Sequence, residues 1–317
     1  MGAYITVSVQ RDKNLIIEAD ELGLTESFNQ GILHGYKEGI LQSACLRTNG
    51  SAFYNAINYV IPECPNLGIG LHLNLVEGFG DTKYTETHSS IYDISGKYKN
   101  NFASLLARCH ANDKKLLDEI KQEYRSQIEK AVDAGVTLDH INSHQHSHII
   151  PKIFRIVCEL AVEYNIPYVR LPKEIHYGAG SIGRYTSKWY HLNLVKLMMV
   201  NLFSKRNKET ASDLGVNTND YFLGVTYTGH MNVSTVANAL AKLSKLNPGV
   251  VEVLLHPCRF LEDKNDIYIT PNVESYVLNV ERTNELSTLL DSKLAHIIER
   301  SGWTMTNFRN ISDQLDS

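Results

Sequence analysis

The chain of 317 residues is 43% hydrophobic and 21% charged, enough apolar material for a sizeable core, which excludes a disordered chain and a small disulfide-stapled scaffold. Lys and Arg number 31 against 35 Asp and Glu, a formal charge of −4, so no global basic excess points to nucleic acid. Five scattered cysteines without a CxxC pair, and no basic start or apolar run of a secretory signal, predict a reducing, cytoplasmic setting.

Met1-Gly2 with Thr6 fits a loose myristoylation pattern, although Tyr4-Ile5-Thr6 reads equally as strand. Residues 14–19 read as a buried strand. Ser27 with Gln30 then makes a capping box for a helix whose apolar face is Phe28, Ile32 and Leu33, running to about Glu38-Gly39. Further strands are predicted at 43–48, 68–75, 137–142, 167–171, 221–226 and 250–255. Helices are predicted at 52–60, 102–109, 114–134, 152–164, 233–243 and 284–300. Strand-helix alternation predicts an α/β fold of parallel strands with helices outside, as a barrel or an open sheet. With no repeat and no Ser/Gly-rich linker, one domain over 1–317 is expected.

Two stretches break the rhythm. Residues 77–100 read as a long surface loop over one end. Residues 173–219 read as an insertion with Gly178, Gly180 and Gly183, then an amphipathic stretch at 189–203. Asn193, Lys196 and Asn201 interrupt its apolar run, which is too short to span a bilayer. Loops this long often act as lids or binding loops.

The unusual polar residues fall at strand ends. Asp20-Glu21 follows the first strand, and His72 lies in Gly70-Leu-His-Leu-Asn74. Asp139-His-Ile-Asn-Ser-His-Gln-His-Ser-His148 follows a third strand, and His256-Pro257 a fourth. Ligands in parallel α/β folds collect at the carboxyl ends of strands, so these pieces predict one shared site. Adjacent carboxylates suit one metal ligand and one general base, or simply a helix-start turn. His72 alone also fits a satisfied core position. His140, His144, His146 and His148 crowd four of the thirteen histidines into nine positions, more than a surface cluster needs. An extended chain would set 144, 146 and 148 on one side, whereas a helix would pair only 144 and 148. One or two are expected on a metal, the others orienting or contacting substrate.

Imidazole with carboxylate suits Zn, Co, Mn or Ni, with Mg less natural. Two His and one carboxylate leave coordination positions open for water. No Walker loop, GxGxxG, GxSxG or cysteine-nucleophile signature is present, so metal-assisted hydrolysis is the expected chemistry.

As a set, these motifs resemble the YdjC-like carbohydrate deacetylases, the family of chitooligosaccharide deacetylase and the hopanoid-biosynthesis deacetylases. Asn14-Leu-Ile-Ile-Glu-Ala-Asp-Glu-Leu-Gly-Leu24 is similar to the family's opening strand with its A-D-D-x-G-L ending. Gly31-Ile32, Gly39-Ile40, Ser43 and Asn49-Gly50 continue that block. Gly68–Leu73 resembles its G-x-H-L element, 139–148 its D-H-x-D-x-H-x-H-x-H element, and 251–257 its E-x-x-x-H-P element. The match runs in order from about residue 14 to 257.

The resemblance implies a distorted (β/α) barrel that deacetylates N-acetylated amino sugars, in oligosaccharides or lipid-linked glycans, with one divalent ion (Zn, Mg, Mn, Co or Ni). It implies Glu21, His72 and His144 as metal ligands and Asp20 as the base that takes a proton from the attacking water. His256 would protonate the departing amine. Arg170 would contact sugar hydroxyls, or else be a plain surface arginine, and Asn49, His146 and His148 would complete the substrate contacts. Two positions depart from the pattern: Glu21 stands where the family has Asp, and Asn142 where Asp is common. Either the ion shifts to meet the longer Glu21, or Asp20 becomes the ligand; Asn142 removes an acceptor charge expected near His144. Residues 187–208 read as a lid, a homodimer helix, or an interfacial helix approaching a lipid-linked substrate. Asn219-Asp-Tyr-Phe-Leu-Gly with Thr228-Gly-His-Met231 resembles the hopanoid-type members. The rival readings are a metallophosphoesterase and a catalytically silent sugar-binding or regulatory protein.

Overall fold

A strand buried on both faces must be covered on both, and β1 (Asn14–Leu22), buried along nearly its whole length, takes the middle of the sheet. It pairs with β2 (Ser43–Leu46) on one side and β7 (Val250–Leu255) on the other. The computed structural model describes residues 13–82, 89–178, 188–246, 248–261 and 266–315. Through β3 (Gly68–Leu73), β4 (His140–Ser143), β5 (Tyr168–Val169) and β6 (Tyr221–Leu223) the order is β5-β4-β3-β2-β1-β7-β6, and every pairing is parallel. A short β8 (Thr304–Met305) pairs with the start of β1.

The sheet curls until its edges approach. Val169 N donates to Asn217 O at 3.0 Å, and Phe222 N to Lys173 O at 2.8 Å. The Asn219 amide bridges the same seam, accepting from Leu171 N at 2.7 Å and donating to Leu171 O at 2.9 Å. The result is a barrel-like α/β fold, as the alternation predicts.

Around it lie α1 (Glu26–Lys37), α2 (Phe53–Asn55), which runs into a wide turn at Ala56–Val60, α3 (Phe102–His110), α4 (Lys114–Asp133), α5 (Pro151–Glu163) and α6 (Lys188–Asp213). They are followed by α7 (Val233–Leu243), α8 (Pro271–Val277), α9 (Val280–Leu290), α10 (Ser292–Arg300) and α11 (Phe308–Leu315).

Strand side chains alternate between faces. Leu15, Ile17, Leu46, Leu71, Ile141 and Val253 join the aliphatic core shared with the helices. Their neighbours Glu18, Asp20, Cys45, His72, His140, Asn142 and Glu252 face the barrel interior, where they meet one another. One mouth is plugged by α11, whose Phe308 packs on Ile16 and Tyr168 and lies 4.4 Å from the His140 ring. The mouth at the carboxyl ends of the strands carries the candidate site.

Several expectations need correcting. Thr25, not Ser27, caps α1: its extended backbone lets its hydroxyl accept from Phe28 N. The last predicted helix is two, broken where extended Asp291 caps α10 through Lys293 N. The segment read as a surface loop is substantially buried at Ser89–Tyr92 and Tyr98, because Glu119 accepts from Ser89 and Ser90 and Glu123 from Asp81, Thr82 and Tyr98. The acylation pattern with Tyr4–Thr6, and Gly180 and Gly183, lie outside the described residues.

Helix α6 turns Leu197 and Val200 inward but leaves Leu192, Val195, Met198 and Leu202 on the outside, between 66% and 73% exposed. It is therefore apolar on two sides rather than simply amphipathic. Among the described residues no helix is long and apolar enough to cross a membrane.

Candidate active site

In a regular strand Asp20 and Glu21 would point to opposite faces. Here the register between β1 and β2 slips between Ala19 and Leu22, and Glu21 takes a left-handed backbone with φ 74°. This bulge lets both carboxylates line one cavity of about 110 Å³. A non-glycine residue in that conformation is strained, and such strain gathers at functional sites.

Each acid has its own arginine. Arg170 reaches Asp20 with two nitrogens, at 2.8 and 2.9 Å, and turns its Nε to Glu252 at 2.6 Å. Arg47 donates to Glu21 Oε2 at 2.9 Å. Burial alone would raise both carboxyls, but Arg170 and His72 hold Asp20 below the ordinary carboxylate range. His144 and Arg47 do the same for Glu21. Both acids are therefore ionised at neutral pH.

His72 enters from β3 and His144 from the turn after β4, their ring centres 5.7 Å apart. His144 Nδ1 lies 2.7 Å from Glu21 Oε1, and His72 Nε2 lies 3.5 Å from the same oxygen. The run 144–148 is neither extended nor α-helical but a kinked 3-10 stretch, His144–Ile149. Gln145 and His146 are both left-handed, at φ 53° and 55°, which keeps His144 and His146 at the cavity and turns His148 away. His256 lines the cavity from the end of β7, its Nδ1 3.4 Å from Glu285 Oε2 on α9.

Three of the expected substrate contacts are engaged elsewhere. Arg170 has no accessible surface, and its guanidinium is occupied by Asp20 and Glu252 rather than open to sugar hydroxyls. His148 is equally buried, with Ser143 Oγ at 2.6 Å from Nδ1 and the Arg170 carbonyl at 3.0 Å from Nε2. Asn49 accepts from Arg47 Nε at 3.2 Å and donates to Phe79 O at 3.0 Å, so it steadies the arginine that holds Glu21. Asn142 is not beside His144 as expected. It lies between His72 and Asp20, 2.6 Å from His72 Nδ1 and 2.8 Å from Asp20 Oδ1.

Sequence reasoning missed Arg47, Glu285, Tyr276 and Lys196, of which the last two line the cavity. For Lys196 a signal existed: it follows Asn193 by three and precedes Val200 by four, on the inward stripe of its helix.

The residues present fit a divalent ion. Glu21, His72 and His144 each offer a donor atom, all within 4.8 Å of one another. His72 Nε2 is buried and has no hydrogen-bond partner, an orphan atom that a cation would satisfy. Two imidazoles and a carboxylate are borderline donors suited to zinc and its neighbours more than to magnesium.

Fold and site together define an α/β-barrel protein with a candidate metal centre at the carboxyl mouth of its strands. The family model described as YdjC-like protein matches residues 14–300. The chain belongs to this family. It is 28% identical over 296 residues to a carbohydrate deacetylase of Thermoanaerobacter pseudethanolicus, covering 93% of this chain and 98% of that protein. A carbohydrate deacetylase of Brevibacillus brevis is 35% identical over 158 residues, half of this chain and 59% of the relative. Among solved structures, an Enterococcus faecalis V583 protein provisionally described as a cellobiose-phosphate cleavage protein shares the fold. Its TM-score is 0.71 at 23% identity, covering 95% of this chain and 99% of that one.

Proposed function

We propose that this chain is a divalent-metal-dependent deacetylase that hydrolyses the acetamide of an N-acetylated amino sugar, within a single domain spanning the chain. The observation that carries the reading is one small cavity in which Glu21, His72 and His144 converge beside an ionised Asp20 and a half-buried His256. The relatives named carbohydrate deacetylases support the substrate class.

Glu21, His72 and His144 would hold the ion. When bound, such an ion supplies Lewis acidity that polarises a carbonyl oxygen and acidifies a neighbouring water. Asp20 takes a proton from the attacking water at its carboxylate, while Arg170 and Asn142 hold that carboxylate in place. The water oxygen bonds to the acetamide carbon. The C–N bond then breaks as the nitrogen receives a proton from His256, leaving acetate and a free amine. Glu285 Oε2 stands 3.4 Å from Nδ1, which leaves Nε2 as the nitrogen assigned to deliver that proton.

The test is acetate release from a panel of N-acetylated saccharides, measured with metal content on the same preparation. Acetate release that tracks bound metal is the expected result; release of phosphate from phosphate esters, with no acetate from any saccharide, would overturn the reading.

A further inference from the structure

Among the described residues, Lys196 is the one lysine or arginine lining the cavity, and it is not committed to an acid. It comes from the inward stripe of α6, is half-buried, and among the described residues makes no ion pair or hydrogen bond. The acid that acts on it is Glu174. Both oxygens of that carboxylate already accept backbone N–H groups, from Gly224, Val225 and Thr226 at 2.6 to 3.0 Å. Asp20 and Glu21 are served by Arg170 and Arg47. The ammonium is thus a surplus positive charge, and withdrawing it from water without a counter-charge is unfavourable. His146 lines the same cavity: its Nδ1 is buried with no partner, its ring stands edge-on to Phe222 at 5.4 Å, and Lys196 is the cation that acts on it most strongly.

We propose that Lys196, with His146, forms an anion-accepting wall of the cavity that binds the small carboxylate left by hydrolysis, acetate. This rests on the deacetylase reading and names the product subsite within it. A cavity of 110 Å³ holds roughly four waters. That suits a two-carbon acyl group and leaves the sugar ring outside. The amide entering the cavity is neutral, whereas the tetrahedral intermediate and the acetate that follows both carry a negative oxygen. A fixed ammonium therefore favours the later species over the substrate, which is the condition for lowering a barrier rather than merely binding.

The experiment uses the metal-loaded protein and acetate itself as probe. Saturation-transfer NMR of acetate, and inhibition of turnover by acetate, are compared in wild type, Lys196→Met, Lys196→Arg and His146→Phe at matched metal content. Lys196→Met is expected to weaken acetate at least about tenfold and to lower kcat about 100-fold. KM should move by less than about threefold, and Lys196→Arg should restore most of the loss. His146→Phe should weaken acetate by a smaller factor. Acetate binding equally well to Lys196→Met and wild type would overturn the proposal, whatever the turnover. If wild type released no acetate from any saccharide, the deacetylase reading would fail, while loss of the acetate signal in Lys196→Met would still support the anion wall.

Discussion

His72 Nδ1 and Asn142 Oδ1 lie 2.6 Å apart, and this pair sets the chemistry of the imidazole. The amide's Nδ2 faces Asp20, an acceptor-only carboxylate, so its oxygen must face His72 and accept the Nδ1 proton. In the neutral imidazole Nε2 is then the unprotonated nitrogen, and it is the one directed toward Glu21. A hydrogen bond that fixes the tautomer of a ligating histidine is a recurrent support of metal sites. Replacing Asn142 with Leu should weaken zinc binding about 10- to 100-fold. Competition against a chelating dye would check this, and unchanged affinity would show that the tautomer is set elsewhere.

His72→Ala and His144→Ala should each lose bound metal and turnover together, since each removes one of only three donors. Metal content by mass spectrometry, alongside acetate release, separates this from a purely structural role. A variant that keeps its metal but not its activity would remove that histidine from the ligand set.

Asp20→Asn should keep the metal and reduce turnover by about 10² to 10⁴-fold, the range for loss of a general base. Its hydrogen bonds to Arg170 and Asn142 leave it the better oriented of the two acids, while Glu21 is the one within reach of both imidazoles. Loss of the metal in Asp20→Asn would reverse the division of labour.

Glu21→Asp tests the departure from the family pattern. The longer side chain spans from Arg47 at 2.9 Å to His144 at 2.7 Å, one oxygen on each. Aspartate is one methylene too short to keep both contacts at the same backbone position, and breaking one side of a buried ion pair costs about 3–5 kcal/mol. Lower stability by urea denaturation and weaker metal binding are expected. A variant equal to wild type in both would mean that the bulge adjusts to the shorter acid.

Burial pushes His148 down to about 3 from its ordinary 6.5, so the folded protein keeps it neutral while the unfolded chain protonates it. The depressed value means its contribution is fully present above pH 6.5 and is lost as pH falls toward 3. The slope for this one proton is at most about 1.4 kcal/mol per pH unit. Urea midpoints measured from pH 7 to pH 4 should therefore fall faster in wild type than in His148→Asn. Parallel curves would show that His148 takes its proton without unfolding.

The parallel barrel and the convergence of polar strand-end residues on one cavity were legible in the sequence because both rest on local patterns. Apolar runs of strand length alternate with helical periods, and a polar residue at the end of such a run stands out. Val250–Leu255 and Val233–Leu243 match their predicted bounds for that reason. Asp20, Glu21, His72, His144 and His256 do line one cavity. What Arg170, His148 and Asn49 do was not legible, because a polar residue at a strand end reads the same whether it faces ligand or another side chain. Only the closing of the sheet brings Arg170, just after β5, onto Asp20 of β1 and Lys196 from a distant helix into the cavity. Sequence spacing determines which face a residue takes; the partners across the barrel, and so the charge and protonation of each group, are fixed only when strands far apart in the chain come within hydrogen-bond reach.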